Sequence, residues 1–213
     1  MKSKEEIKTW LLENATNEAG DVDISGIDFG DREVILDEIK AKHISNHKQK
    51  AEKTISNGKQ EAESIGNELQ KTDFYISNKC QKSYHIYNGY QKAHTIFNRD
   101  QKAKEDIYNE HQEAGENIFN DYQKAQDHIS NSEQEADDMI DNEYQKAKKR
   151  IFNSEQGAES IANINQKAKD IYNRNQQAES IENDKQKAEE DISNKGQEAG
   201  IILGNKKEWE VKE

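Results

Sequence analysis

The sequence predicts an all-β repeat solenoid behind a short N-terminal helical cap, and three observations carry that prediction. Ile-x-Asn and Gln-x-Ala triplets recur in fixed order, the recurring unit is ten or eleven residues long, and all length variation falls between the Ala and the next Ile. Side chains two apart in an extended segment share a face, so Ile and Asn point inward together, as do Gln and Ala.

The composition leaves room for little else that folds. Of 213 residues only 31% are hydrophobic and 35% are charged, with mean hydropathy -1.27 and net charge -12. Such a chain stays disordered unless a regular repeat buries a little in every unit.

Residues 3 to 18 read as the cap: Ser3 and Glu6 form a capping box, Ile7, Trp10 and Leu11 share a helical face, and Gly20 lies past the end. From 21 to 43 the period changes. Val22, Ile24, Ile27 and Phe29 form two apolar-x-apolar triplets, a five-residue period that no helix has. From 44 to 205 the unit recurs sixteen times, with Asn from Asn46 to Asn205, each preceded two residues earlier by Ile or, last, by Leu203. Gln follows three residues later, from Gln49 to Gln197, and Ala two after that, except at Thr72 and Ser83. Residues 206 to 213 form a C-terminal tail or cap.

A long α-helical coiled-coil-like rod is the alternative, because Gln, Lys, Ala and Glu are good helix formers. Eleven-residue units give 3.67 residues per turn and ten-residue units 3.33, so one rod would have to reverse its supercoil sense. A helix would also put every Asn on the solvent face, where a poor helix former has no reason to recur. In a solenoid, stacked Asn and Gln amides form hydrogen-bonded ladders, and a two- or three-residue corner absorbs the length difference.

VDISGIDFGD resembles the A(D/N)Lxx pattern of pentapeptide-repeat proteins, which are right-handed quadrilateral β-helices. That resemblance implies two units per coil of about 20 to 22 residues. The segment and its downstream QKAKEDIYNEH units are also similar to repeat proteins of phages and conjugative elements of streptococci and their relatives. Those relatives bring no established activity. The chain departs from the strict pattern by placing Asn and Gln where Leu or Phe would fill the core.

No HExxH, GxSxG, phosphate loop or Cys/His pair appears, so no catalytic residue, cofactor or metal is expected. His43 and His47 lack a third ligand in register and read as a solvated pair. Cys80, the only cysteine, excludes an internal disulfide and reads as a packing or corner thiol. With no apolar run of about 18 residues, the chain reads as soluble and cytoplasmic, without a membrane partner.

Charge is the sharpest functional signal. Glu105, Asp106, Glu110, Glu113, Glu116, Asp121, Asp127, Glu133, Glu135, Asp137, Asp138, Asp141 and Glu143 fall in one stretch with a single base, Lys124. A net 1 - 13 = -12 in that stretch equals the charge of the whole chain. Duplex DNA would be repelled, whereas a rod of regularly spaced carboxylates imitates its phosphates and attracts a host DNA-binding protein or nuclease. Lys146, Lys148, Lys149 and Arg150 follow directly, as local counter-charge or a partner's dock. Tyr87, Phe97, Tyr108, Phe119, Phe152 and Tyr172 each follow an inward Ile and form a candidate aromatic interface. Ile201, Ile202, Leu203 and Trp209 suggest a terminal cap or a surface for a homo-oligomer.

The expected function is therefore that of a non-enzymatic acidic interaction protein of a mobile genetic element. By analogy with gyrase-binding pentapeptide-repeat proteins and acidic anti-restriction and anti-CRISPR inhibitors, its mode is DNA mimicry. The rival is a structural or scaffolding rod acting through self-association. A hydration-type stress protein fits the regular Ile and aromatic positions poorly.

Overall fold

In a computed structural model of the chain, residues 22–23, 34–40, 43–46, 49–51, 54–203 and 207–209 are described. The expected helical cap over 3 to 18 lies outside them. The described residues contain only strands, turns and bends, so the helical-rod alternative falls.

All strand pairings are parallel and run between residues 20 to 22 apart, which makes each coil two units long. Ile107 pairs with Ile129, Ile129 with Ile151, Ile151 with Ile171 and Ile171 with Ile192. The intervening units stack in a second series: Ile118 pairs with Ile140, Ile140 with Ile161, Ile161 with Ile181 and Ile181 with Ile202. Equal triplets stay in register although coil length changes, because the extra residue sits in the Ala-to-Ile corner: His94 and Thr95 fill one, and Gly115, Glu116 and Asn117 the next. Val22 and Asp23 pair with Ile44 and Ser45, and Val34–Lys40 pairs with Thr54–Glu61, so the leading segment stacks on the first coils.

Each coil therefore has four faces in cyclic order. Face I is an Ile-x-Asn triplet with Tyr108 or Ser130 at its outward middle. Face II is the following Gln-x-Ala, with Glu113 or Glu135. Face III is the next Ile-x-Asn, with Phe119 or Asp141, and face IV is the next Gln-x-Ala, with Lys124 or Lys146. Because a coil is one unit repeated twice, faces II and IV point in opposite directions.

The interior is apolar at two ends and polar in the middle. Ala114, Ala136, Ile118 and Ile140 belong to one buried cluster, and Ala125, Ala147, Ile129 and Ile151 to the other. Between them lie four amide ladders. Asn120 Nδ2 donates to Asn142 Oδ1 at 2.9 Å and Asn142 to Asn163 at 2.9 Å, so Asn ladders donate toward the C-terminus. Gln ladders run the other way: Gln134 Nε2 donates to Gln112 Oε1 at 2.6 Å and Gln156 to Gln134 at 2.6 Å. Second amide hydrogens tie the two kinds together within a coil, as Asn131 Nδ2 does to Gln123 Oε1 at 3.0 Å. Opposed ladders cancel much of each other's dipole while satisfying groups that would each cost about 1 to 3 kcal/mol unpaired. The exception marks a ladder's start: Gln60 Nε2 has no partner, and the residue in register one coil earlier is Ile39, which offers no amide.

Candidate interaction surface

Every carboxylate from Glu105 to Glu143 is half-buried or exposed, as its outward position requires, but the stretch winds around the coil. Seven of the thirteen gather on face II and its corners: Glu110, Glu113, Glu116, Glu133, Glu135, Asp137 and Asp138. Glu155 and Glu159 extend this flank by one coil, making nine carboxylates over three coils with no Lys or Arg between Glu110 and Ser160 on that side. The other six lie elsewhere. Glu105, Asp106 and Asp127 occupy the corner between faces IV and I, Asp121 and Glu143 that between III and IV, and Asp141 the middle of face III. The expected single acidic face is thus a smaller, denser flank plus scattered acids, because 39 consecutive residues travel nearly twice around a coil.

Neighbouring coils supply partial neutralisation. Glu113 is hydrogen-bonded by Lys92 and receives Tyr90 Oη at 3.1 Å; chiefly the Lys92 contact holds its carboxyl below the usual range. His94 faces Glu116 at 2.9 Å and His111 faces Glu133 at 2.9 Å. Tyr87 donates to Glu110 at 2.7 Å, and that bond, then burial, pushes the phenol up to about 12. Exposed pairs of this kind contribute little stability and leave most of the flank's field intact.

Asp141 differs from all of these. It sits in register between Phe119 and Ala162, its Oδ1 is buried without a partner, and burial, reinforced by Glu143, Asp121 and Glu182, raises its carboxyl to about 6.

The candidate aromatic interface divides in two. Tyr87, Tyr108, Phe152 and Tyr172 lie on face I, where Phe152 and Tyr172 stack at 5.0 Å and Ser130 interrupts the series. Phe97 and Phe119 stack at 5.1 Å on face III, the opposite side. All six are half-buried, and four of them hold each other across coils in the pairs Phe97–Phe119 and Phe152–Tyr172.

Metal-ligand types gather at the corner between faces IV and I, where His85, Glu105 and Asp106, and Asp106, Asp127 and His128, each lie within 4.8 Å. Neighbouring side chains already engage this column: His85 contacts Glu105 at 3.2 Å, and Lys149 engages Asp127 at 2.6 Å. Cys80 is a half-buried corner thiol. No helix among the described residues is long and apolar enough to cross a membrane.

Sequence reasoning missed a basic counterpart to the acidic flank. Lys82, Lys102, Lys124, Lys146, Lys167 and Lys187 occupy the outward middle of face IV on successive coils. The signal was present in the Gln-Lys-Ala triplets but emerges only when every second unit is read, since alternate units lie on opposite sides. No protein-family model, curated protein or solved structure matches the chain.

Proposed function

We propose that the protein is a non-enzymatic interaction rod that presents face II to the basic surface of a host DNA-binding protein or nuclease, imitating duplex phosphate. The observation behind this reading is the density of the flank. Nine carboxylates over three coils, each rising about 4.8 Å, come to about one charge per 1.6 Å of axis, against about 1.7 Å in duplex DNA. The resemblance to repeat proteins of phages and conjugative elements supports this reading by analogy, since restriction and CRISPR nucleases and gyrase are the host enzymes that such elements meet.

The test is competition: purified nuclease or gyrase bound to a labelled duplex, with the protein as competitor. Displacement should weaken steeply with salt and vanish when Glu113, Glu116, Asp137 and Asp138 are all changed to Lys, in a variant whose melting curve is retained. A partner that binds duplex and protein together, or ignores both salt and that reversal, removes mimicry.

A second reading, a scaffold built by self-association, is favoured by one feature. Ile201, Ile202 and Leu203 at the C-terminal end of face III are 57%, 41% and 53% exposed although Ile202 occupies an inward position. Light scattering of the intact chain against an Ile201→Ser, Leu203→Ser variant distinguishes this reading from a monomeric inhibitor.

A further inference from the structure

We propose that the lysine groove of face IV binds a linear inorganic phosphate polymer, a function separate from that of face II. The groove has a volume of about 650 Å³ and runs along the rod from the level of Glu61 to that of Lys146. Lys82, Lys102, Lys124 and Lys146 form one wall, Lys104 and Lys148 project from the neighbouring corner, and the residues between the two rows are Ala or Ser. Its one acid, Glu61, is held by Lys82 at 2.9 Å. Lys124 and Lys146 have no ion-pair partner among the described residues.

Nothing in the fold requires this alignment. Cations stacked in register about 4.8 Å apart repel one another, and a solubilising role is met as well by scattering them. A linear anion laid along the axis meets one ammonium group per coil and removes that repulsion.

The groove's lining selects among polyanions. A single phosphate chain laid between the lysine rows meets an ammonium group at each coil, and the floor between those rows offers it only Ala, Ser and lysine stems. Base stacking also lacks a platform. Tyr122 and Tyr144 stack on each other at 4.8 Å, and Lys104 covers Tyr84 at 4.2 Å.

The experiment titrates the intact protein with long-chain polyphosphate, with oligo(dT) of equal charge in parallel, at 50 and 200 mM salt. About four engaged lysines, each contributing roughly -0.7 to the salt slope, predict about a fifty-fold loss of affinity between those salts. Lys102→Gln, Lys124→Gln and Lys146→Gln combined should weaken binding at least about tenfold while leaving the melting temperature close to the parent's, since the exposed contacts of Lys102 with Asp100 and the Tyr122 ring contribute little and the repulsion along the row is removed. Should that triple variant fail to fold, Lys124→Gln alone should still weaken binding severalfold. Absence of polyphosphate binding at 50 mM salt overturns the proposal, as does affinity unchanged by these substitutions. Oligo(dT) binding as tightly as polyphosphate, or lysine-dependent self-association without polyphosphate binding, overturns it equally.

Discussion

Faces II and IV come from the same Gln-x-Ala triplet in alternate units, yet Glu113 and Glu135 stand on one where Lys124 and Lys146 stand on the other. Their inward residues do not differ: Gln112 and Gln134 donate along one ladder as Gln123 and Gln145 do along the other. The comparison teaches that the inward residues of the triplets carry the fold and leave the outward ones free to diverge in charge. It follows that inward substitutions should cost the same on either half of the coil, and outward ones should cost little on both.

The largest effect should come from the amide ladders. Asn120 donates to Gln112 at 3.3 Å and to Asn142 at 2.9 Å, and Asn131 donates to Gln123 at 3.0 Å and to Asn153 at 3.1 Å. Asn120→Asp or Asn131→Asp turns both donors into oxygens facing oxygens in a site with no solvent access. Each change should lower stability by about 4 kcal/mol at neutral pH. A buried carboxyl has a raised pKa, so its contribution is lost as pH rises, and the penalty should shrink toward pH 4, where the neutral acid persists. Denaturant unfolding of both variants checks this; a neutral result for either would break the equivalence of the halves.

The apolar ends come next. Ile118 and Ile129 are fully buried in the two separate clusters. Ile118→Ala and Ile129→Ala should each cost about 3 kcal/mol, and their midpoints in urea should agree. A large inequality would mean that one end of the coil carries the core and the other only closes it.

Legibility in the sequence followed the same division between inside and outside. Ile-x-Asn and Gln-x-Ala announce their inward positions because the fold tolerates few exceptions there, so coil length, corner placement and amide stacking could all be read. The outward surface could not be read along the chain, since neighbours in sequence lie on different faces. The acids from Glu105 to Glu143 looked like one face, but Asp121 and Asp141 lie around the coil from Glu113 and Glu135. The aromatic series failed as a stripe for the same reason, with Phe97 and Tyr108 on opposite sides. The lysine groove stayed hidden because a Lys directly after the inward Gln also occurs on face II, at Lys50, Lys71 and Lys92, before Glu replaces it there.

A smaller effect, of opposite sign, should mark an outward position where charge and burial conflict. Asp141, raised to about 6 from an ordinary 3.8, favours the folded state only when protonated. Its contribution is full below about pH 3.8 and is lost as pH rises through about 6. Asp141→Asn should therefore raise the unfolding free energy at pH 7.5 by about 1 kcal/mol once solvent screening is allowed for, and change it little at pH 3.5. An equal gain at both pH values would assign the effect to packing against Phe119 instead of to charge.

The smallest effects should fall on the two flanks, and they sharpen the comparison most. Glu135 is exposed and lies in register between Glu113 and Gly157, whereas Lys124 is exposed between Lys102 and Lys146. Neither side chain reaches an inward neighbour, so Glu135→Gln and Lys124→Gln should both stay within about 0.5 kcal/mol of the parent. Their sizes need not match. Lys124 has like charges on both sides at about one coil spacing, and its neutralisation should stabilise slightly in low salt and not at 0.5 M. Glu135 has one like neighbour in register, Glu113, already compensated by Lys92, so its neutralisation should relieve only the more distant acids of the flank and stabilise less than that of Lys124 at low salt. Melting curves of both variants at two salt concentrations give the answer, and a loss above about 1.5 kcal/mol at either site would mean that an outward residue carries part of the fold.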